Sequence, residues 1–365
     1  MPNNEQNVPK NERQAKEYSR VKIQISIFNL FLSVALLCIL AFSGVSIIFR
    51  EWAESCSANS GIVVFLYFTA FYLFSVCVDY PVNFYSSFII EHKYALSNQT
   101  FGQWAWEDLK KKCLSFLVGL LLIEVLYVCL RFDPRYWWLW SWLLWIVFSV
   151  ILNKLVPVFI VPLFYKYTEI DDQELKQRLL RLVADTKLHV SNVYSLNLSK
   201  TTKKANAAFM GLGKTKRVVL GDTLLEKFTH DEIEVVLAHE IGHYTRNHIF
   251  KNIIVATVAS FLGFYCAHMV LSAMVPELGF SGISDVATFP LICLVFSLFG
   301  LIIMPVQNGY SRHMERQADA YAYEKTRNKK AFVTTMLKLA EINLSELSPN
   351  PIIEFIFYSH PSLKK

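Results

Sequence analysis

Two histidines stand four residues apart in the segment 235–248, with a glutamate after the first: His239-Glu240-Ile241-Gly242-His243. On a helix, positions i and i+4 share a face. Both imidazoles can therefore aim a ring nitrogen at one divalent cation. Glu240 follows about 100° further round, near enough to hold a water without ligating the cation. Two imidazoles, a carboxylate base and an open position make the donor set of a hydrolytic zinc site.

A third ligand is needed. A metzincin places another histidine six residues after the second, but that position is Ile249 and no glycine lies between. His248 comes one residue early and is expected to face elsewhere. A gluzincin takes a glutamate from a second helix, and the segment 310–319 offers Glu315 with Asp319 four residues on. One carboxylate could ligate. The other could accept the distal N–H of a ligand histidine and fix its tautomer. Each half alone would pass for an ordinary helix face. The two together, each beside an apolar block, point to one site.

The elements that must position these residues are membrane spans. The 365 residues are 53% hydrophobic and 18% charged, with a mean hydropathy of +0.33, and soluble domains carry about 25% charge. The apolar blocks are long enough to cross a bilayer. The seven cysteines are scattered without a C-x-x-C pair, which excludes a disulfide framework as the organising principle. No basic stripe is interleaved with aromatics, so no nucleic-acid partner is expected.

Residues 1–22 read as a disordered cytoplasmic tail. The N-terminal membrane region, 23–167, holds spans at 23–49, 61–90, 113–130 and 137–155. Pro81 should kink or end the second, and Pro157 and Pro162 break the segment 156–167. That segment is a broken extension or a re-entrant piece, and it is expected not to cross. Residues 168–252 turn polar and form the first half of a protease domain. It has a helix over 173–187, strands at 190–198 and 217–220, and a helix from Thr229 to about Arg246 opened by a capping box. A transmembrane hairpin fills 253–306, with spans at 253–275 and 289–306. Residues 307–365 form the second half of the protease domain. Lys and Arg alternate between loops: five before the first span, one in 50–60, four in 91–112, two in 131–136 and none in 276–288. The positive-inside rule then places both termini and both polar segments on the cytoplasmic side. Asn98, Asn197 and Asn343 begin N-x-Ser/Thr triplets on that face and count as chance.

At this point the sequence resembles a family, the type I CAAX prenyl endopeptidases, over roughly residues 65–365. The marks are Ser86-Ser87-Phe88-Ile89-Ile90-Glu91 with Asn98-Gln99-Thr100, Val161-Pro162-Leu163-Phe164, Asn206-Ala207-Ala208-Phe209-Met210-Gly211, and the run 217–225. The zinc motif, Ser311-Arg312 to Asp319, and Ser359-His360-Pro361 complete the set. Ala208 departs from the family, which often has an aromatic there. The chain also stops five residues past His360, where relatives run on through an arginine.

The resemblance implies a mainly α fold: a polytopic helical bundle around a chamber, capped by a small α+β gluzincin-type domain. It implies one Zn2+ per chain held by His239, His243 and Glu315, with Asp319 and Arg312 behind them. Glu240 is the expected base. Asn206, Ala207 and Gly211 would receive substrate backbone on an edge strand, and His360 would grip the peptide or stabilise the oxyanion. The expected partners are the lipid bilayer and a peptide or protein substrate, prenylated at the cysteine before the cut. The membrane would be the bacterial inner membrane or the endoplasmic reticulum. Two alternatives stand beside this: a quality-control protease without prenyl preference, and a non-catalytic scaffold braced by zinc. An intact Glu240 weighs against the scaffold, since a structural site has no use for a general base.

Overall fold

A computed structural model describes residues 10–184, 186, 192–210 and 217–363. Among these, six helical segments are long and apolar enough to cross a bilayer. Helices dominate for a physical reason: in hydrocarbon, each backbone N–H and C=O must be satisfied within its own segment.

The first helix, α1 (Lys10–Phe42), overturns the expected disorder of its polar start, because residues 10–22 continue the span as helix. Tertiary contact overrides the composition here. Ala15 and Tyr18 are buried against Ile90, Tyr94, Leu96 and Leu344. The span also ends earlier than residue 49. Gly44 takes a left-handed φ of 82°, which glycine adopts without the Cβ penalty, and a second helix, α2 (Val45–Cys56), turns away. Ser46 ties it down by donating to the Ala287 carbonyl at 2.7 Å.

Pro81 does not end α3 (Ser60–Phe84). The register is instead absorbed just beyond it by a π-helical turn, Tyr85–Ile89, before α4 (Ile90–Lys93). The next helix, α5 (Phe101–Phe132), begins twelve residues before the expected 113 because Thr100 and Gln103 form a reciprocal capping box. The span α6 (Trp137–Leu155) falls where expected. It runs on through a π-helical turn, Val156–Ile160, into α7 (Val161–Phe164), so the proline-rich segment is a broken extension of the fourth span.

The polar portion builds a four-stranded sheet. Its elements are β1 (Tyr167–Glu169), α8 (Gln173–Ala184), β2 (Val193–Leu196), β3 (Ala207–Met210), β4 (Arg217–Gly221) and α9 (Asp222–Lys227). The strand order is β1-β2-β4-β3. Pairing is parallel between β2 and β4 and antiparallel at both flanks. The outer parts of the expected helix 173–187 and strand 190–198 include residues outside the described set. Val193, Val218 and Leu220 form a core with Leu175 and Leu179 of α8 and with Ile233, Leu237 and Ile241 of the next helix, α10 (His230–Thr245).

Three long helices complete the scaffold: α11 (His248–Met274), α12 (Phe289–Thr326) and α13 (Lys329–Asn343), followed by the short α14 (Pro351–Phe357). The sixth span was expected to stop at 306. Instead α12 continues through Pro305 for 38 residues in all, so a membrane span and the Glu315/Asp319 pair ride on one rigid element.

Candidate active site

The helix α10 starts where its sequence predicts. Thr229 Oγ1 accepts from the Glu232 N–H at 3.4 Å, and Glu232 Oε2 accepts from the Thr229 N–H at 2.9 Å. Lys338 pairs with the same carboxylate at 2.8 Å. Buried apolar side chains, among them Ile233, Leu237 and Ile241, anchor α10 in the domain core, and His239 and His243 meet Glu315 of α12. Gly242 permits the close approach of the two helices. A Cβ there would stand 3.0 Å from Ala318 Cα and 3.1 Å from the Ala318 carbonyl oxygen.

That approach brings His239, His243 and Glu315 together. The two Nε2 atoms lie 3.1 Å apart. His239 Nε2 is 3.3 Å from Glu315 Oε2, and His243 Nε2 is 3.5 Å from Glu315 Oε1. Zinc bonds of about 2.0–2.1 Å in tetrahedral geometry would set neighbouring donors about 3.3 Å apart. The Nε2–Nε2 distance is close to that spacing, and one donor atom from each residue lies within 4.8 Å of the others, so these residues fit a zinc ion. Burial disfavours charge on His239, but hydrogen bonds to Asp319 and Glu315 outweigh it and lift the imidazole to about 10.

Partners behind the donors fix their tautomers. His239 Nδ1 donates to Asp319 Oδ1 at 2.8 Å, so Nε2 is the nitrogen presented to the centre. A second chain serves His243. Its Nδ1 lies 3.0 Å from Nδ1 of His248, whose Nε2 lies 3.0 Å from Gln317 Oε1. Gln317 Nε2 in turn meets His313 Nε2 at 2.8 Å. The amide oxygen must accept, so His248 carries its proton on Nε2 and its Nδ1 accepts from His243. This leaves the His243 Nε2 lone pair free.

The sequence reading sent His248 elsewhere by counting along one helix. Asn247 takes a left-handed φ of 56°, which ends α10. His248 then opens α11 with its ring turned back on His243. An asparagine, a residue tolerant of that conformation, between two histidines was the available signal.

Glu240 lines the same cavity as the metal-fitting group. Burial holds its carboxyl above the usual glutamate range, against the pull of His239 and His243. The cavity measures about 530 Å³ and is also lined by Asn206, Ala207, Asp319 and His360. Val236, Met336 and Leu339 supply apolar wall. Asn206 is exposed just before β3 and accepts from the Ala207 N–H at 2.9 Å. β3 lies at one edge of the sheet. Gly211 falls outside the described residues.

His360 Nδ1 is 3.0 Å from Glu315 Oε2, a contact that raises the imidazole above its ordinary value. Arg312, expected behind the ligands, does not touch them. Its buried Nη1 instead donates to the backbone carbonyls of Glu354, at 2.8 Å, and of Phe355 and Tyr358. It therefore holds the end of α14 and the strap that carries His360.

A helix-borne His-Glu-x-x-His facing a carboxylate on a second helix, set on membrane-length helices, is the arrangement of a membrane metalloprotease. The chain belongs to peptidase family M48. Residues 169–365 match that family's model, and residues 4–166 match the CAAX prenyl protease N-terminal model, described as five membrane helices. Similarity thus reaches the first helix, beyond the stretch 65–365 that carries the resemblance in the sequence. The chain is 30% identical to an uncharacterised metalloprotease, YhfN, of Bacillus subtilis, across 96% of this chain and 83% of that one. It is 32% identical to CAAX prenyl protease 1 of Saccharomyces cerevisiae, across 79% and 68%. The crystal structure of S. mikatae Ste24p superposes with a TM-score of 0.85 at 25% identity, covering 100% of this chain and 90% of that one.

Proposed function

We propose that this metalloprotease is a zinc endopeptidase that trims the C-terminal peptide from prenylated, CAAX-type substrates. The observation that carries the zinc assignment is the convergence of His239, His243 and Glu315, with one donor atom of each within 4.8 Å of the others. His239, His243 and Glu315 are the proposed ligands. When bound, zinc would supply a Lewis acid that polarises the scissile carbonyl and acidifies water.

The chain's own residues do the rest. Glu240, its carboxyl raised by burial, takes a proton from the attacking water and delivers it to the leaving amine. Asn206 and β3 receive the substrate backbone as an added strand. His360 donates to developing negative charge on the carbonyl oxygen, a contribution on the order of 3 kcal/mol where such donors have been removed. Asp319 and Arg312 hold the ligands and the strap in register.

The proposed organisation is a membrane region over 23–167, protease halves over 168–252 and 307–365, and a transmembrane hairpin over 253–306. The distribution of Lys and Arg supports a protease domain and termini on the cytoplasmic side. The prenyl preference is supported by relatives named for that activity, including the yeast protein. The test compares a farnesylated peptide, its unmodified twin and an unfolded membrane protein at equal concentration. The proposal expects kcat/KM at least about tenfold higher for the farnesylated peptide, which 1.4 kcal/mol of lipid contact would supply. Equal rates on all three would replace it with general membrane-protein clearance.

A further inference from the structure

We propose that Tyr18 and Ser19, neighbours on the polar stem of α1, are positioning residues that set the two substrate-gripping segments against each other. The inference rests on the proposed roles of Asn206 and His360.

Each of those residues has an anchor two positions upstream, and both anchors end on the same short piece of α1. Lys204 Nζ donates to the Tyr18 hydroxyl at 2.9 Å and pairs with Glu91 Oε2 at 3.1 Å. Tyr18 in turn donates to Glu91 Oε1 at 2.7 Å. Next along the helix, the Ser19 hydroxyl meets the Tyr358 hydroxyl at 2.5 Å. Successive helical side chains point about 100° apart, so one rigid turn reaches both segments at once.

The stem itself is fixed. Tyr18 packs edge-on against Tyr94 with centroids 5.1 Å apart, and Lys22 binds Glu91 Oε1 and the Ser86 carbonyl, each at 3.2 Å. This gives the Ser86–Glu91 motif a task. Its final carboxylate is the hub joining α1, α4 and the approach to β3. The adjoining loop strengthens that approach, with Lys203 N–H donating to the Leu96 carbonyl at 2.9 Å and Asn98 N–H to the Thr201 carbonyl at 3.1 Å.

The gripped segments need such a brace. Neither 203–206 nor 358–361 lies within a helix or strand, so side-chain bonds add to the few backbone bonds that set their place. Asn343 holds Ala205 from one side at 2.9 and 3.2 Å, and Arg312 holds the Tyr358 carbonyl. The α1 stem reaches both, through Tyr18 to Lys204 and Ser19 to Tyr358. An error of about 1 Å in such segments costs on the order of a hundredfold in rate, which makes the stem a gauge for catalysis as well as a packing element.

The test uses the full-length chain in detergent or bilayer, with kcat, KM, zinc affinity and Tm measured together. Tyr18→Phe, Ser19→Ala and Tyr358→Phe each remove one hydroxyl and keep the surrounding shape. We expect kcat/KM to fall about three- to tenfold in each, with zinc affinity unchanged. Ser19→Thr should restore activity. Ser19→Ala combined with Tyr358→Phe should be no worse than the poorer single variant, since both break one contact. Changes in kcat/KM under about twofold, or losses that simply follow zinc loss or a fall in Tm, overturn the inference. Asn206→Ala and His360→Ala run alongside. If these keep full activity, the parent assignment fails and takes the brace with it. If they lose activity while Tyr18→Phe and Ser19→Ala do not, only the brace fails.

Discussion

Replacing His248 with phenylalanine keeps a ring of similar size and deletes both nitrogens of the chain that orients His243. In the wild type, His243 Nδ1–H has an acceptor 3.0 Å away, and that acceptor is held in turn by Gln317. In the variant the N–H faces carbon. A buried donor left unpaired costs about 1–3 kcal/mol, and partners behind metal ligands are worth about 10–100-fold in affinity. Part of this cancels, because the metal-free protein also loses the bond. What survives is the requirement that metal-loaded His243 carry its proton on Nδ1, while the free imidazole can shift it to Nε2. We therefore expect about a tenfold rise in the apparent zinc Kd, read by competition with a fluorescent chelator at fixed pH. Gln317→Ala, which leaves His248 in place but frees its tautomer, should cost less, about two- to fivefold. A zinc Kd within twofold of wild type in His248→Phe would refute the directional chain.

Glu240→Gln should lower kcat by about 10²–10⁴-fold while the purified protein keeps its metal; comparable turnover in that variant would remove Glu240 as the base. Gly242→Ala should push α10 from α12 by a few tenths of an ångström, because the new Cβ meets backbone of Ala318 at 3.0 Å; a loss of about 1–3 kcal/mol in stability with weakened metal binding is expected in denaturant and chelator titrations. Glu232→Gln tests the cap of α10. Burial alone would raise the Glu232 carboxyl, but Lys338 and the Thr229 N–H more than offset it and the net shift is downward. A depressed carboxylate stabilises the fold above its unfolded pKa and loses that contribution as pH falls through the folded value. The wild-type advantage in Tm should therefore be full near pH 7 and shrink through the acid range below the ordinary glutamate value; an advantage independent of pH would contradict the pairing.

How far the sequence told this depends on the kind of signal. The Thr229–Glu232 box and the His239/His243 spacing are local, and the structure shows both on α10 as written. The pair Glu315 and Asp319 was legible by spacing, but not the single 38-residue helix beneath it, because polar residues after 306 read as the end of a span. Residues 10–22 read as a tail for the same reason; their order comes from Glu91 and Leu344, distant in sequence. His248 was lost at one backbone residue, Asn247, whose left-handed φ no helical count includes. Asn206 and His360 sit on irregular segments where no periodicity exists to be read, so only the family resemblance singled them out.

Zinc K-edge absorption on the purified full-length chain examines the centre most directly. Three protein donors, two imidazole nitrogens and one carboxylate oxygen, at about 2.0–2.2 Å, with one imidazole lost in His243→Ala and the oxygen altered in Glu315→Gln, are the expected result. A metal bound through sulfur, or an unchanged spectrum in both variants, would contradict the account.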